Sequence, residues 1–253
     1  MRTIILGSGS KGNSTLLIEK NQKILIDVGF SYPKMKMLLE QYNYSPSDID
    51  AILITHTHKD HIMGLATFVK KNNILVYANE KLYHELLKII DEENLMLVDM
   101  EFDLLNLHIT LINTSHDSIG SVGFLIENDN KSIVYITDTG YINVKNHKRL
   151  ENKHLYIMES NHDIEMLMNG PYPYILKQRV LSDKGHLSNE LAGRYLRDII
   201  GIDTKKIVLA HLSETNNNVD IALNTNKEIM GDKLSNIELL IAYQEASLDL
   251  GEI

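Results

Sequence analysis

The chain has 253 residues, 43% of them hydrophobic, and a formal charge of −9. That is enough to bury a substantial core, and the negative balance argues against wholesale, sequence-blind binding to nucleic acid. It contains no cysteine, which excludes disulfides and leaves His and carboxylates as the only ligands for a metal. No apolar run approaches the roughly 18–20 residues of a membrane span, and the short apolar run after Met1-Arg2 is too brief for a signal-peptide core. A cytoplasmic protein is the expectation.

The N-terminus reads Thr3-Ile-Ile-Leu, then Gly7, Gly9 and Gly12 in G-x-G-x-x-G order, with Asp27 twenty residues beyond Gly7. This is the order of a dinucleotide-binding fingerprint, which needs a helix to open at its third glycine. Instead Ser14–Ile18 and Lys23–Asp27 are β-type runs around the turn Lys20-Asn21-Gln22, so the glycines serve a strand-to-strand loop. Ser31 and Pro33 then signal a helix through about Gln41. A strand is expected at 51–55, a helix at 65–71, a strand at 74–78 and a helical face at Leu82, Leu86, Leu87 and Ile90. Strands follow at 108–112, 121–127, 132–137 and 154–159. Helical spacing returns at Leu191, Ala192, Tyr195, Leu196 and Ile199, before a strand at 206–210, a helix at 219–230 and a strand at 237–242. No linker or repeat divides the chain, and two mixed sheets covered by helices in one domain, 1–253, satisfy the pattern.

The chemistry concentrates in Ile54-Thr-His-Thr-His-Lys-Asp-His61, where His56, His58, Asp60 and His61 crowd the end of an apolar strand. Such a polar cluster is costly to satisfy unless something binds it, and a divalent cation does so. His116, Asp138 and His211 each follow an apolar strand, the place where open α/β sheets put their sites. Seven such ligands suffice for two metals that share a carboxylate.

This arrangement resembles the metallo-β-lactamase-fold hydrolase superfamily over nearly the whole chain. Its H-x-H-x-D-H motif stands at 56–61, and its later His, Asp and His at 116, 138 and 211. The resemblance implies an α/β protein with a four-layer αββα sandwich of two mixed sheets flanked by helices. It also implies two divalent ions, zinc foremost, with manganese or iron as alternatives. His56, His58 and His116 would hold the first ion and Asp60, His61 and His211 the second. Asp138 would bridge them, Asp60 would serve catalysis as well as binding, and Asp27 would support the ligands from behind.

The fold hosts many reactions. Lys184-Gly-His-Leu-Ser-Asn189 is similar to the Gly-His-Ser/Thr segment of the tRNA 3′-processing endonucleases, and Met158-Glu-Ser-Asn161 to their Glu-Ala-Thr segment. By that likeness Glu159 and His186 form a catalytic proton-handling pair, with Lys184 and Ser188 near the substrate. Between 177 and 206 seven basic residues stand against four acids, enough local charge to meet a phosphate backbone. The chain lacks the long arm of those endonucleases. With Gly7-Ser-Gly-Ser-Lys-Gly-Asn13 and Glu159-Ser-Asn-His-Asp163 it most resembles the compact bacterial YycJ/WalJ-type group, regarded as exonuclease-like and acting on DNA rather than RNA. His162 and Asp163 belong to that signature without an assignable role. The expectation is therefore a phosphodiesterase acting on nucleic acid. The alternatives are a lactone or thioester hydrolase on the same ligands and, more distantly, a single-iron oxygenase.

Overall fold

A computed structural model describes residues 1–253. The chain divides into two compact units, one of residues 1–109, 118–122 and 243–253, the other of residues 110–117 and 123–242. It contains two mixed seven-stranded sheets accompanied by helices. No helix is long and apolar enough to cross a membrane.

The first unit holds β1 (Arg2–Gly7), β2 (Ser14–Glu19), β3 (Gln22–Ile26), β4 (Ala51–Leu53), β5 (Val76–Ala78) and β6 (Leu95–Leu97), with β14 (Leu248–Glu252) on the outer edge of β1. β1, β2 and β3 are antiparallel, and from β3 onward the pairing is parallel. Because β2 follows Gly12 directly, no helix receives a pyrophosphate there, and the dinucleotide fingerprint is a look-alike. β2 is buried at every residue, which is why it reads as a continuous apolar run rather than an alternating one. Helices α1 (Tyr32–Glu40), α3 (Leu65–Asn72) and α4 (Glu80–Leu86) press Met35, Leu38, Phe68, Val69, Leu82 and Leu86 against Ile4, Leu16, Leu25, Ile52 and Val76. Burying a side chain of this size contributes about 1.5–3 kcal/mol. The short α2 (Lys59–Ile62) carries Asp60 and His61.

The second sheet has the order β13 (Glu238–Ile241), β12 (Lys206–Ala210), β11 (Leu155–Glu159), β10 (Ser132–Ile136), β9 (Val122–Glu127), β8 (Leu107–Asn113) and β7 (Glu101–Leu104). Strands β10 to β13, with most of β8 and β9, belong to the second unit. β10 to β13 are mutually parallel, with Ile136 opposite Met158 and Glu159 opposite Ala210. That register brings Glu159, the last residue of β11, to one edge with Asp138 and His211, which lie just past the carboxyl ends of β10 and β12. Helices α8 (Asn189–Ile199) and α9 (Val219–Met230) pack Leu196, Ile199, Ala222 and Met230 on Tyr156, Met158, Ile207 and Leu209. α5 (Val144–Leu150), α6 (Ile164–Asn169) and α7 (Tyr174–Leu181) complete the unit.

The expected strands and long helices are present within a few residues. Absent from the expected elements are α2, β6, β7, β14 and α5 to α7. These elements are short, and α5 to α7 bury only Leu150, Leu167 and Val180, so no apolar stripe marks them.

Candidate metal centre

In the first unit the site grows from β3 and β4. Asp27, one residue past β3, is wholly buried and sits at φ 62°, a left-handed conformation that a non-glycine residue adopts at a cost of roughly 1–3 kcal/mol. Its carboxylate accepts from the Thr55 amide (2.8 Å), the Thr55 hydroxyl (2.8 Å) and His61 Nδ1 (2.7 Å). Burial pushes the Asp27 carboxyl up, against the opposing charge and hydrogen bond of His61 and the bonds from Thr55. Thr55 Oγ1, whose proton goes to Asp27, lies 3.0 Å from His56 Nδ1. The imidazoles of His56 and His58 meet edge-on with ring centres 4.7 Å apart, and those of His56 and His61 lie 4.0 Å apart. Asp60 Oδ2 stands 3.5 Å from His61 Nε2.

Asn13, which the sequence reading did not single out, joins these pieces. Its amide is oriented by a reciprocal pair with Gly9 (2.8 and 2.9 Å), and its Nδ2 reaches Asp60 Oδ2 at 3.2 Å and His61 Nε2 at 3.0 Å. Its backbone receives Gly29 N–H (2.9 Å) and donates to the Asp60 carbonyl (2.7 Å). A Cβ at Gly29 would collide with that same carbonyl, so glycine there is a requirement of close approach. The glycine loop that imitates a nucleotide fingerprint thus holds the helix bearing Asp60 and His61.

In the second unit Glu159 is the wholly buried hub. Oε1 accepts from His186 Nδ1 (2.7 Å) and His211 Nδ1 (3.1 Å), while Oε2 accepts from the amides of Thr139 (3.1 Å) and Leu187 (3.0 Å). Burial would raise the Glu159 carboxyl, but the His186 charge and the hydrogen bonds from His186 and His211 outweigh it and bring it to about 2. Burial likewise works against charge on His186, but Glu159, then Asp138, hold its imidazolium above the ordinary range. Asp138 (φ 54°) and His211 (φ 55°) repeat the left-handed turn of Asp27. Asp138 Oδ1 lies 3.5 Å from His211 Nε2 and 3.9 Å from His116 Nε2. His116 Nδ1 is 3.2 Å from the Gly185 carbonyl, and Asn161 Nδ2 donates to the His211 carbonyl at 2.9 Å.

The donor set fits divalent metal. His56, His61, His116 and His211 each have Nδ1 within hydrogen-bonding reach of a hydroxyl, carboxylate or carbonyl oxygen. An imidazole tied in this way presents its lone pair at Nε2, the orientation that metal-binding histidines adopt. Donors about 2.1 Å from one tetrahedral ion stand about 3.4 Å apart, close to the His211–Asp138 spacing. The ligand atoms of Asp138, Glu159, His186 and His211 all lie within 4.8 Å of one another. Within that group the His186 nitrogen facing Asp138 already donates to Glu159.

Lys184 is exposed on the loop before His186. Ser188 is buried and caps α8, its hydroxyl accepting from the Leu191 amide at 3.2 Å. Asp163 caps α6 through the Met166 amide (2.8 Å), which gives that residue a structural role. Of the basic residues between 177 and 206, Arg179 is engaged with Asp117 (2.7 Å), Lys177 with the Met168 carbonyl (2.7 Å) and Arg197 with Asp198 (3.8 Å), which weakens that segment as a track.

Residues 22–212 match the family described as Beta-lactamase superfamily domain. The chain is 40% identical over 225 residues to a protein named Exodeoxyribonuclease WalJ from Streptococcus pneumoniae, covering 86% of this chain and 84% of that one. It is 34% identical over 234 residues to Exodeoxyribonuclease YycJ from Bacillus anthracis, covering 90% and 89%. Among solved structures, the metallo-beta-lactamase fold protein YhfI from Bacillus subtilis superposes with a TM-score of 0.74 at 17% identity, over 98% of this chain and 99% of that one, a likeness of fold. With its motif histidines held as metal-binding imidazoles are, and with these relatives along most of its length, the chain belongs to the beta-lactamase superfamily, in the group of WalJ and YycJ.

Proposed function

We propose that this protein is a dinuclear metal-dependent phosphodiesterase, exonuclease-like, with DNA as its substrate and the cytoplasm as its place of action. The observation that carries the reading is the Glu159–His186 pair at 2.7 Å, beside Asp138 and His211. Hydrolysis of a thioester, which releases a weakly basic thiolate, does not need such a pair. A phosphodiester does, because the departing sugar oxygen must be protonated. The names of the two relatives point to the same substrate.

In this reading the chain is one domain, with His56, His58 and His116 for one ion, Asp60, His61 and His211 for the other, and Asp138 shared. When bound, two such ions supply Lewis acidity and bring a water's pKa toward ~7; zinc is the first choice for so many imidazoles, with manganese or iron as alternatives. Asp27 and Glu159 hold the imidazole rings in orientation. His186 receives its proton at the nitrogen turned from Glu159 and gives it to the leaving oxygen. The hydrogen bond to Glu159 favours the protonated imidazole.

The test is metal content together with cleavage of end-labelled single- and double-stranded DNA and RNA under zinc and manganese. Bis-p-nitrophenyl phosphate, lactone and thioester panels run alongside. Two metals per chain and stepwise loss of nucleotides from DNA are expected. Efficient lactone or thioester turnover with inert phosphodiesters would overturn the reading, and one iron per chain would favour the oxygenase.

A further inference from the structure

A cleft of about 280 Å³ opens in the second unit beside the candidate site. Asn113, Ser115, Tyr141, Asn143, Lys145 and Asn146 line it. Its wall is joined to the chemistry through the backbone. The Ser115 amide donates to Thr139 Oγ1 (3.0 Å), which donates to the Tyr141 carbonyl (2.8 Å). The Gly140 amide donates to the Ser115 carbonyl (2.9 Å), and the Thr139 amide to Glu159 (3.1 Å). The lining therefore flanks His116, beyond the end of β8, and Asp138, beyond the end of β10.

The chemistry of the lining is selective. There is no carboxylate in it, although acids outnumber bases in the chain by 34 to 25. It offers an aromatic ring that is 40% exposed, a lysine ammonium, the hydroxyls of Thr114 and Ser115 and three amides. The side chains of Tyr141, Lys145 and Asn146 make no hydrogen bond within the chain. Asn143 spends only its oxygen, on the Lys145 amide (3.0 Å), and keeps its NH2. α5 continues from the cleft with Lys145, Lys148 and Arg149 and no acid, the densest positive stretch on a chain of −9. A flat ring for stacking, amides that can meet donors or acceptors on a base edge, and a cationic run for phosphates together describe a nucleotide in a strand.

We infer that this cleft is a nucleoside subsite: Tyr141 stacks on the base next to the phosphate being cut, Asn143 and Asn146 meet its edge, and Lys145 and Lys148 take adjoining phosphates. The inference rests on the phosphodiesterase reading and names the part of the substrate that reading leaves open. The cleft's volume exceeds that of a nucleobase alone and leaves room for its sugar.

The test compares oligodeoxynucleotides that are intact or carry a single abasic position, scanned inward from each end. They are bound to the full chain with and without added divalent metal and followed by fluorescence anisotropy. Wild type should prefer the intact strand by about 5- to 150-fold at one position, the worth of one stacked base. Tyr141→Ala should bring that ratio close to one, and Tyr141→Trp should keep it. Tyr141→Ala should bind the abasic strand as tightly as wild type does, so a general loss of fold, which weakens that binding as well, does not imitate the result. Lys145→Glu with Lys148→Glu should weaken both strands alike and flatten the salt dependence. A Tyr141→Ala variant that keeps the wild-type ratio, or a wild type indifferent to the abasic position, overturns the inference. Failure of the underlying reading shows separately, as absence of bis-p-nitrophenyl phosphate hydrolysis by wild type, while anisotropy still reports on the cleft.

Discussion

His162 is 1% exposed, and neither ring nitrogen has a hydrogen-bond partner. Burial drives its pKa from 6.5 to about 4, so the native protein holds it neutral. The unfolded chain binds the proton first. Stability from this residue is therefore complete above the unfolded value and is lost as pH falls through 6.5 toward 4. Near pH 5 the loss is about 2 kcal/mol, and below pH 4 it approaches about 3 kcal/mol. In His162→Leu, close in volume and without a titrating group, that loss is absent. Wild type and variant should be melted in chelator, so that metal release does not enter, near pH 8 and again near pH 5. The gap between them should shift in the variant's favour by about 2 kcal/mol, about 5 °C in a chain of this size. Should the two proteins lose stability in parallel between those conditions, the imidazole is not a buried neutral group and the reasoning fails.

Asp138→Asn should abolish dinuclear binding, read as metal per chain by elemental analysis, because Asp138 is the proposed shared ligand. His186→Ala should retain its metals while turnover falls by roughly 10²–10⁴-fold on DNA. The fall should be smaller on bis-p-nitrophenyl phosphate, whose leaving group needs no proton; equal losses on both substrates would remove the proton-donor role. Asn13→Ala, which unties Asp60 and His61 from the glycine loop, should lower metal affinity by about 10–100-fold, measured by competition with a chelating dye.

Several features were legible in the residues alone. The apolar runs of β2, β3, β10, β11 and β12 identify themselves because strands buried on both faces have no polar alternation. The crowd at 56–61 identifies itself because three imidazoles and a carboxylate after an apolar strand have little use in a core. The glycine fingerprint could be dismissed on local grounds, since β-type residues follow it. Whether Glu159 and His186 meet was an expectation from resemblance, and the 2.7 Å contact is what geometry adds.

Other features depend on register and distance, which the order of residues does not carry. Asn13 reaches Asp60 and His61 across 47 and 48 positions, and Asn161 reaches His211 across 50. An asparagine in a glycine loop looks like any turn residue until its amide is placed. The left-handed backbone at Asp27, Asp138 and His211 is likewise invisible in composition, because only tertiary packing can hold non-glycine residues there against their preference. The cleft around Tyr141 closes the same way, from segments about 30 residues apart that parallel and antiparallel pairing bring side by side. Local chemistry thus identified which side chains could bind metal and which runs would be strands. Pairing and packing alone decided which neighbour orients each imidazole, because a hydrogen bond a few ångströms long is set by where strands end in space.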